Sequence, residues 1–262
     1  MNGVNGPQDA AVVLDIEGTT TPIAFVYEVL FPFVRAHLLE HLEAGRAAGT
    51  LATILGALHA EWAVDVEQGD VPPPWRDGHA RDVAAYVGWL MDRDRKSTGL
   101  KALQGEVWRA GYERGELLGE LFPDVAPALR EWRRRGVPVA IFSSGSATAQ
   151  RLLFGHTREG DLTPLISGYF DTSVGPKGEA ASYRAIARTL GRPPAAVTFV
   201  SDVVRELDAA RAAALRTFLS VRPGNPAQPA HAHPVIRRLD EVEVDDGAGH
   251  AERPPGVEGA ST

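Results

Sequence analysis

The chain of 262 residues has no cysteine. Disulfides, zinc–thiolate sites, iron–sulfur clusters and thiol nucleophiles are therefore all excluded. It has no excess of positive charge either: 27 Lys and Arg stand against 34 Asp and Glu, a formal net charge of −7. A polyanion partner needs a basic face, so a nucleic-acid partner is not expected. No apolar run approaches the roughly 18 residues that would span a membrane. Residues 1–10 are polar, without a basic segment leading into an apolar one, so no signal peptide is visible and a cytoplasmic location is expected. Internal repeats are lacking too. What is present is ordinary for a globular chain with a sizeable core, at 44% hydrophobic and 23% charged residues.

The hydrophobic pattern changes twice along the chain. Residues 11–14 (AVVL) form a short apolar run closed by Asp15 and the turn 18–22 (GTTTP), which reads as a buried strand ending in a loop. From about Phe25 to Gly119 the pattern is helical. Leu51, Ile54, Leu55, Leu58 and Trp62 follow helical spacing, as do Ala80, Val83, Ala84, Val87 and Leu90. A third stripe, Val26, Val29, Leu30, Val34 and Leu38, contains Pro32, which should break or restart its helix. Residues 72–74 (PPP) must be a connector. These stripes are best read as helix–helix core.

After Pro123 strands and helices alternate. Strands are expected at 137–142, more weakly at 170–174, at 197–200 and at 217–221. Helices are expected from a cap at Asp124 through Trp132, at 179–190 and at 205–214. This rhythm implies βαβ units and a parallel sheet. Because the first strand precedes the helical block and its partners follow it, the block reads as an insertion into an α/β core. The expected division is 1–24 and 120–245 for the core, 25–119 for the helical insertion and 246–262 for a disordered tail.

In an open parallel sheet, ligands sit beyond the carboxyl ends of the strands. The first strand ends in Asp15 and Glu17, the second in 143–146 (SSGS), and the strand at 197–200 in Ser201 and Asp202, while Lys177 follows the weaker third strand. Carboxylates, hydroxyls and an ammonium gathered at strand tips suit phosphoryl transfer with Mg²⁺. Asp15 and Glu17 are two apart and leave an extended chain on one side. One can attack phosphorus while the other protonates the leaving oxygen and then activates water. Asp202 and Glu206, at a strand-to-helix junction, could complete a metal site. Taken singly each signal is weak; their order along the chain is not. A phosphoacceptor signalling domain shares the Asp, Ser and Lys pattern but lacks the helical insertion. A dehalogenase needs no metal and leaves Glu17 and Asp202 unexplained. A general phosphatase differs only in what the insertion admits.

Three further features favour bland readings. His37 and His41 are four apart on an expected helix, a zinc-compatible spacing, but no third ligand adjoins them, so they read as solvated or packed side chains. Residues 133–135 (RRR) end a helix, where cations complement the helix dipole. His231 and His233 lie in a Pro-rich loop.

The ordered motifs resemble the haloacid dehalogenase superfamily, whose Rossmann-like parallel sheet carries an inserted helical cap. Residues 13–23 (VLDIEGTTTPI), 100–105 (LKALQG), 108–112 (WRAGY), 121–125 (LFPDV), 143–146 (SSGS), 152–156 (LLFGH) and 168–172 (GYFDT) resemble, more narrowly, the acireductone synthases, the enolase-phosphatases of methionine salvage. The resemblance runs from about Ala11 to Asn225 and includes Glu17, where most of the superfamily has Asp. It implies that Asp15 and Glu17 are catalytic and, with Asp202, hold one Mg²⁺. It also implies that Ser143, Ser144 and Lys177 bind substrate and that Glu206 is an auxiliary acid. The implied reaction takes 2,3-diketo-5-methylthiopentyl-1-phosphate to 1,2-dihydroxy-3-keto-5-methylthiopentene and phosphate, in a monomeric enzyme. Ser201 stands where that family more often has Thr, and Pro176 precedes the lysine.

Overall fold

The computed structural model describes residues 10–76, 79–95 and 97–244; the tail expected at 246–262 lies outside the described residues. Strand β1 (Ala11–Leu14) is buried along its whole length. Its side chains alternate between two cores. Val12 and Leu14 join Leu129, Trp132 and Phe154 on one face, and Ala11 and Val13 join Tyr183, Ile186 and Leu207 on the other. A strand covered on both faces has no use for polar alternation, which is why the sequence shows a plain apolar run.

Strand β1 pairs in parallel with β2 (Val139–Phe142) through Val12 and Val139, and with β4 (Val197–Ser201) through Val12 and Thr198. The sheet continues to β3 (Gly168–Phe170) beyond β2, and to β5 (Arg216–Ser220) and β6 (Val235–Ile236) beyond β4. All pairings are parallel and the order is β3-β2-β1-β4-β5-β6. The chain thus moves outward on one side of β1 and returns to the other. That reversal opens a crevice at the carboxyl end of β1, where an open α/β sheet receives its ligand.

After β1, and before the helix that leads into β2, come a π-helix (Phe25–Leu30) and the helices α1 (Phe31–Ala48), α2 (Ala52–Glu67), α3 (Ala80–Asp92) and α4 (Thr98–Glu113). They enclose a separate core built on Leu42, Leu58, Val83, Tyr86, Leu90 and Leu103. Pro32 stands in the first turn of α1, where its missing N–H is not needed, so it restarts the helix rather than breaking it. The wide turns of the preceding π-helix shift the apolar stripe, leaving Val29 exposed while Leu30 is buried. Helices α5 (Val125–Arg134), α6 (Ala147–Gly155), α7 (Ala180–Thr189) and α8 (Val204–Ala212) cover the sheet.

Three expectations are corrected. The third strand ends at Phe170 instead of reaching 174, because the Asp171 carboxylate accepts from the amides of Ser173 (2.9 Å) and Ala147 (3.1 Å) and turns the chain. Strand β6, only two residues long, is absent from the sequence reading. Asp124 precedes α5, but its carboxylate does not cap the helix. It accepts instead from Arg222 at 2.8 and 2.9 Å and from the Leu239 amide at 2.6 Å.

Candidate active site

Asp15 leaves the tip of β1 with its backbone amide bonded to Val200 O, so β4 fixes where its carboxylate starts. The next residues form a tight loop: the amides of Thr19, Thr20 and Thr21 converge on Ile16 O, and the Gly18 amide donates to Thr21 O. Gly18 adopts φ +66°, and a Cβ there would lie 2.6 Å from Asp202 Cγ and 2.9 Å from Asn225 Oδ1. Glycine is required on both counts. The loop is tied from outside by Asn225 Nδ2 and Ser220 Oγ, which donate to Gly18 O, and by Arg222 Nε, which donates to Thr19 O.

The structure brings together the six residues expected at the strand tips, and Glu206 with them. Lys177 Nζ lies 2.7 Å from Asp15 Oδ1 and 2.8 Å from Glu206 Oε2. The Lys177 backbone is held by Tyr183 OH, which donates to its carbonyl at 2.7 Å. Ser201 Oγ is within reach of both Asp15 Oδ2 (3.2 Å) and Glu206 Oε2 (3.0 Å), so its single proton can serve either. The serine that replaces the commoner threonine therefore keeps the hydroxyl that links the two acids. Ser143 Oγ lies 3.5 Å from Glu17 Oε2 and accepts from the Gly145 amide. Ser144 is exposed at the same loop, and the cap of α6 is Ser146, whose hydroxyl accepts from the Ala149 amide.

The electrostatics follow from crowding four carboxylates around one ammonium. Burial, and then the charge of Asp15, push Asp202 up to about 7. The same two causes push Glu206 up to about 7 and hold Glu17 above the usual carboxylate range. Burial opposes the charge on Lys177, but Asp15 and Glu206 outweigh it and hold the ammonium well above its ordinary value. Excess negative charge on oxygen-only donors is the chemistry of a hard divalent cation. Asn225 Oδ1, buried beside Asp202, makes no hydrogen bond, and an acceptor of this kind also suits a cation or its water. Among the described residues no three acidic or imidazole groups already form a closed cage. The fit therefore rests on donor type and charge.

A cavity of about 200 Å³ opens from this cluster toward the helical block. Glu17, Ser143 and Ser144 line it from the core, and Phe25, Phe31, Trp108, Arg35 and Lys101 from the helical block. Phe31 stacks on Trp108, whose indole N–H donates to Leu30 O at 2.9 Å.

The haloacid dehalogenase-like hydrolase family matches residues 10–214. Enolase-phosphatase E1 of Synechococcus elongatus is 49% identical over 88% of this chain and 96% of its own length. The protein of the same name from Klebsiella oxytoca is 47% identical over 90% and 97%. The chain belongs to the enolase-phosphatase E1 family of haloacid dehalogenase-like hydrolases. In three dimensions it is similar to the UTR4 protein of Saccharomyces cerevisiae, with a TM-score of 0.73, 32% identity and coverage of 89% of this chain and 100% of that one. The CbbY protein of Rhodobacter sphaeroides shares the fold at a TM-score of 0.54 and 17% identity, with coverage of 89% and 96%. Against this family frame, the sequence reading missed Asn225 as a loop tie, the Asp124–Arg222 pair, and the placement of Lys101 and Gln104 in the cavity wall. Residues 100–105 had marked the family without indicating a task for either side chain. His37 stacks on Phe33 at 4.1 Å and His41 is half-buried, in keeping with packing; His233 is buried and bonded to Thr217.

Proposed function

We propose that this chain is a Mg²⁺-dependent enolase-phosphatase acting on 2,3-diketo-5-methylthiopentyl-1-phosphate, with residues 25–119 serving as a cap over the core. The observation that carries the reading is the cluster of Asp15, Glu17, Lys177 and Asp202, with Glu17 lining a cavity whose wall is largely apolar. A phosphate fits the first and a thioalkyl tail the second. Asp15, Glu17 and Asp202 would hold the metal, which when bound supplies the positive charge that lets an anionic carboxylate face an anionic phosphate.

The residues of the chain divide the work. Lys177 and the hydroxyls of Ser143 and Ser144 hold phosphoryl oxygens, and the Lys177 ammonium keeps Asp15 oriented. Asp15 Oδ attacks phosphorus; the new O–P bond forms as the ester O–P bond breaks. Glu17, whose carboxyl is held above the usual carboxylate range by burial and by Asp15, gives its proton to the leaving oxygen. It then takes a proton from the water that hydrolyses the aspartyl phosphate, and Asp15 is regenerated. Enolisation comes first and needs a base beside the carbon that bears the phosphate. A group that reaches the ester oxygen also reaches the hydrogen on that carbon, so Glu17 serves in both half-reactions.

Phosphate release and absorbance of the enediol product, followed together with Mg²⁺ and with EDTA, test the reading. Metal-dependent appearance of both supports it; phosphate release from simple esters but not from the diketone would refute the substrate. Turnover of Asp15→Asn within about tenfold of the wild type would refute the nucleophile.

A further inference from the structure

Two polar side chains in the cavity wall have no task in the phosphate chemistry. Lys101 and Gln104 are three residues apart on α4 and so share one face of the helix. Both line the cavity that holds Glu17 and Ser143. Lys101 Nζ reaches from the helical block to the loop after β2, where it donates to Ser144 O at 3.1 Å. Among the described residues no carboxylate forms an ion pair with it. Asp171 feels its charge but is already engaged with the amides of Ser173 and Ala147. The other cations of the wall are committed: Arg35 to Asp92 at 2.6 Å, and Arg95 to Asp65 and Asp70. Gln104 is 7% exposed, yet its side-chain amide has no hydrogen bond to any described residue. That amide lines the cavity, where a ligand can engage it.

A vicinal diketone presents two adjacent carbonyl oxygens, the one nearer the phosphate gaining negative charge when the adjoining C–H bond is broken. We propose that Lys101 and Gln104 read this pair, Lys101 meeting the oxygen next to the phosphate-bearing carbon and the Gln104 amide donating to its neighbour. The inference rests on the enolase-phosphatase reading above and gives the enolisation step its electrophile. The C–H proton passes to Glu17, the C–H electron pair becomes the new C=C bond, and the carbonyl π pair moves onto the oxygen. The Lys101 ammonium then donates to that oxygen. Donors aimed at developing oxyanions are worth about 10²–10³ in rate. A cation already placed by a backbone carbonyl needs little reorganisation to act.

The test compares two chemistries in the full-length, Mg²⁺-loaded enzyme. One is enolisation of the diketone phosphate, followed by solvent deuterium entering the phosphate-bearing carbon; the other is hydrolysis of a phosphate monoester with no carbonyl. Lys101→Met should slow enolisation about a hundredfold or more, and monoester hydrolysis by less than about tenfold. Lys101→Arg should recover part of the loss, and Gln104→Leu should raise KM for the diketone more than it lowers kcat. Equal losses in both chemistries would make Lys101 only a tie between α4 and the Ser144 loop and would overturn the proposal, as would no loss in either. Failure of the parent reading looks different, since the unaltered enzyme would then release no phosphate from the diketone, whether or not it hydrolyses the monoester.

Discussion

Gly18 and Asp202 approach so closely that no side chain fits between them, a Cβ on Gly18 standing 2.6 Å from Asp202 Cγ. Gly18→Ala would also force a left-handed conformation on a residue with a Cβ, at about 1–2 kcal/mol. The expected result is a lower melting temperature and a kcat at least about tenfold down, because Asp202 must move. Steady-state kinetics and thermal melts on the same preparation check it; unchanged kcat would mean that this contact does not set the site.

The raised Asp202 and Glu206 make the metal-free protein sensitive to alkali. Both titrate at about 7 in the folded chain, against 3.8 and 4.5 as ordinary values. Their contribution to stability is therefore fully present below those ordinary values and is lost as pH rises through 7. Lys177 is charged in both states across this window and does not alter the slope. His41 and His233, held below 6.5 by burial, act in the opposite sense, losing their contribution as pH falls. Melts in EDTA at about pH 5.5 and 7.5 should show a steeper loss of stability with rising pH in the unaltered protein than in Asp202→Asn. Mg²⁺ at the higher pH should restore more to the former than to the latter.

Arg222 and Asp124 form a buried, two-pronged ion pair, each less than 5% exposed at the side chain. Arg222 also donates to Thr19 O and to Arg237 O, so it joins the loop after β1 to the last strand region. Arg222→Met leaves Asp124 buried without its partner and should cost about 3–5 kcal/mol. Urea unfolding reads this directly, and the double variant Arg222→Met with Asp124→Leu should recover much of it. Recovery of kcat should lag behind recovery of stability, since Thr19 O stays untied.

Phe31 stacks on Trp108, and both line the cavity. Phe31→Ala should lower kcat/KM for the thioalkyl substrate about tenfold to a hundredfold through lost apolar contact. A phosphate monoester lacking the tail should suffer much less. Equal losses on both substrates would show that the stack supports the fold rather than selecting the tail.

The strand tips were legible because a buried parallel strand is a compact apolar run and its first polar residues mark where it ends. Asp15, Ser143 and Asp202 all follow that rule. Lys177 was found by its place after the third strand, but its two-sided bridge to Asp15 and Glu206 needs the folded sheet. No local signal joins Asp124 to Arg222 or Gly18 to Asn225, since each pair is set by distant crossings of the chain. Strand β6 is too short for any period to register, and the shift of Val29 out of the core comes from a π-helix whose register differs from the ordinary one. Gln104 reads in sequence as a polar residue within an apolar helix; only its place in the cavity wall gives it a use.

The central place of β1 in the sheet also governs how the protein comes into being. This strand is made before both of its neighbours, which follow the whole helical block, and the second does not begin until Val197. At about 5–20 residues per second, a ribosome leaves the AVVL segment without strand partners for roughly ten seconds or more. During that interval its open edges are exposed to other nascent chains, while the helices of the block, with their mostly local contacts, can already close. Asp15, at the tip of this strand, is thus synthesised well before the two strands that put it in place.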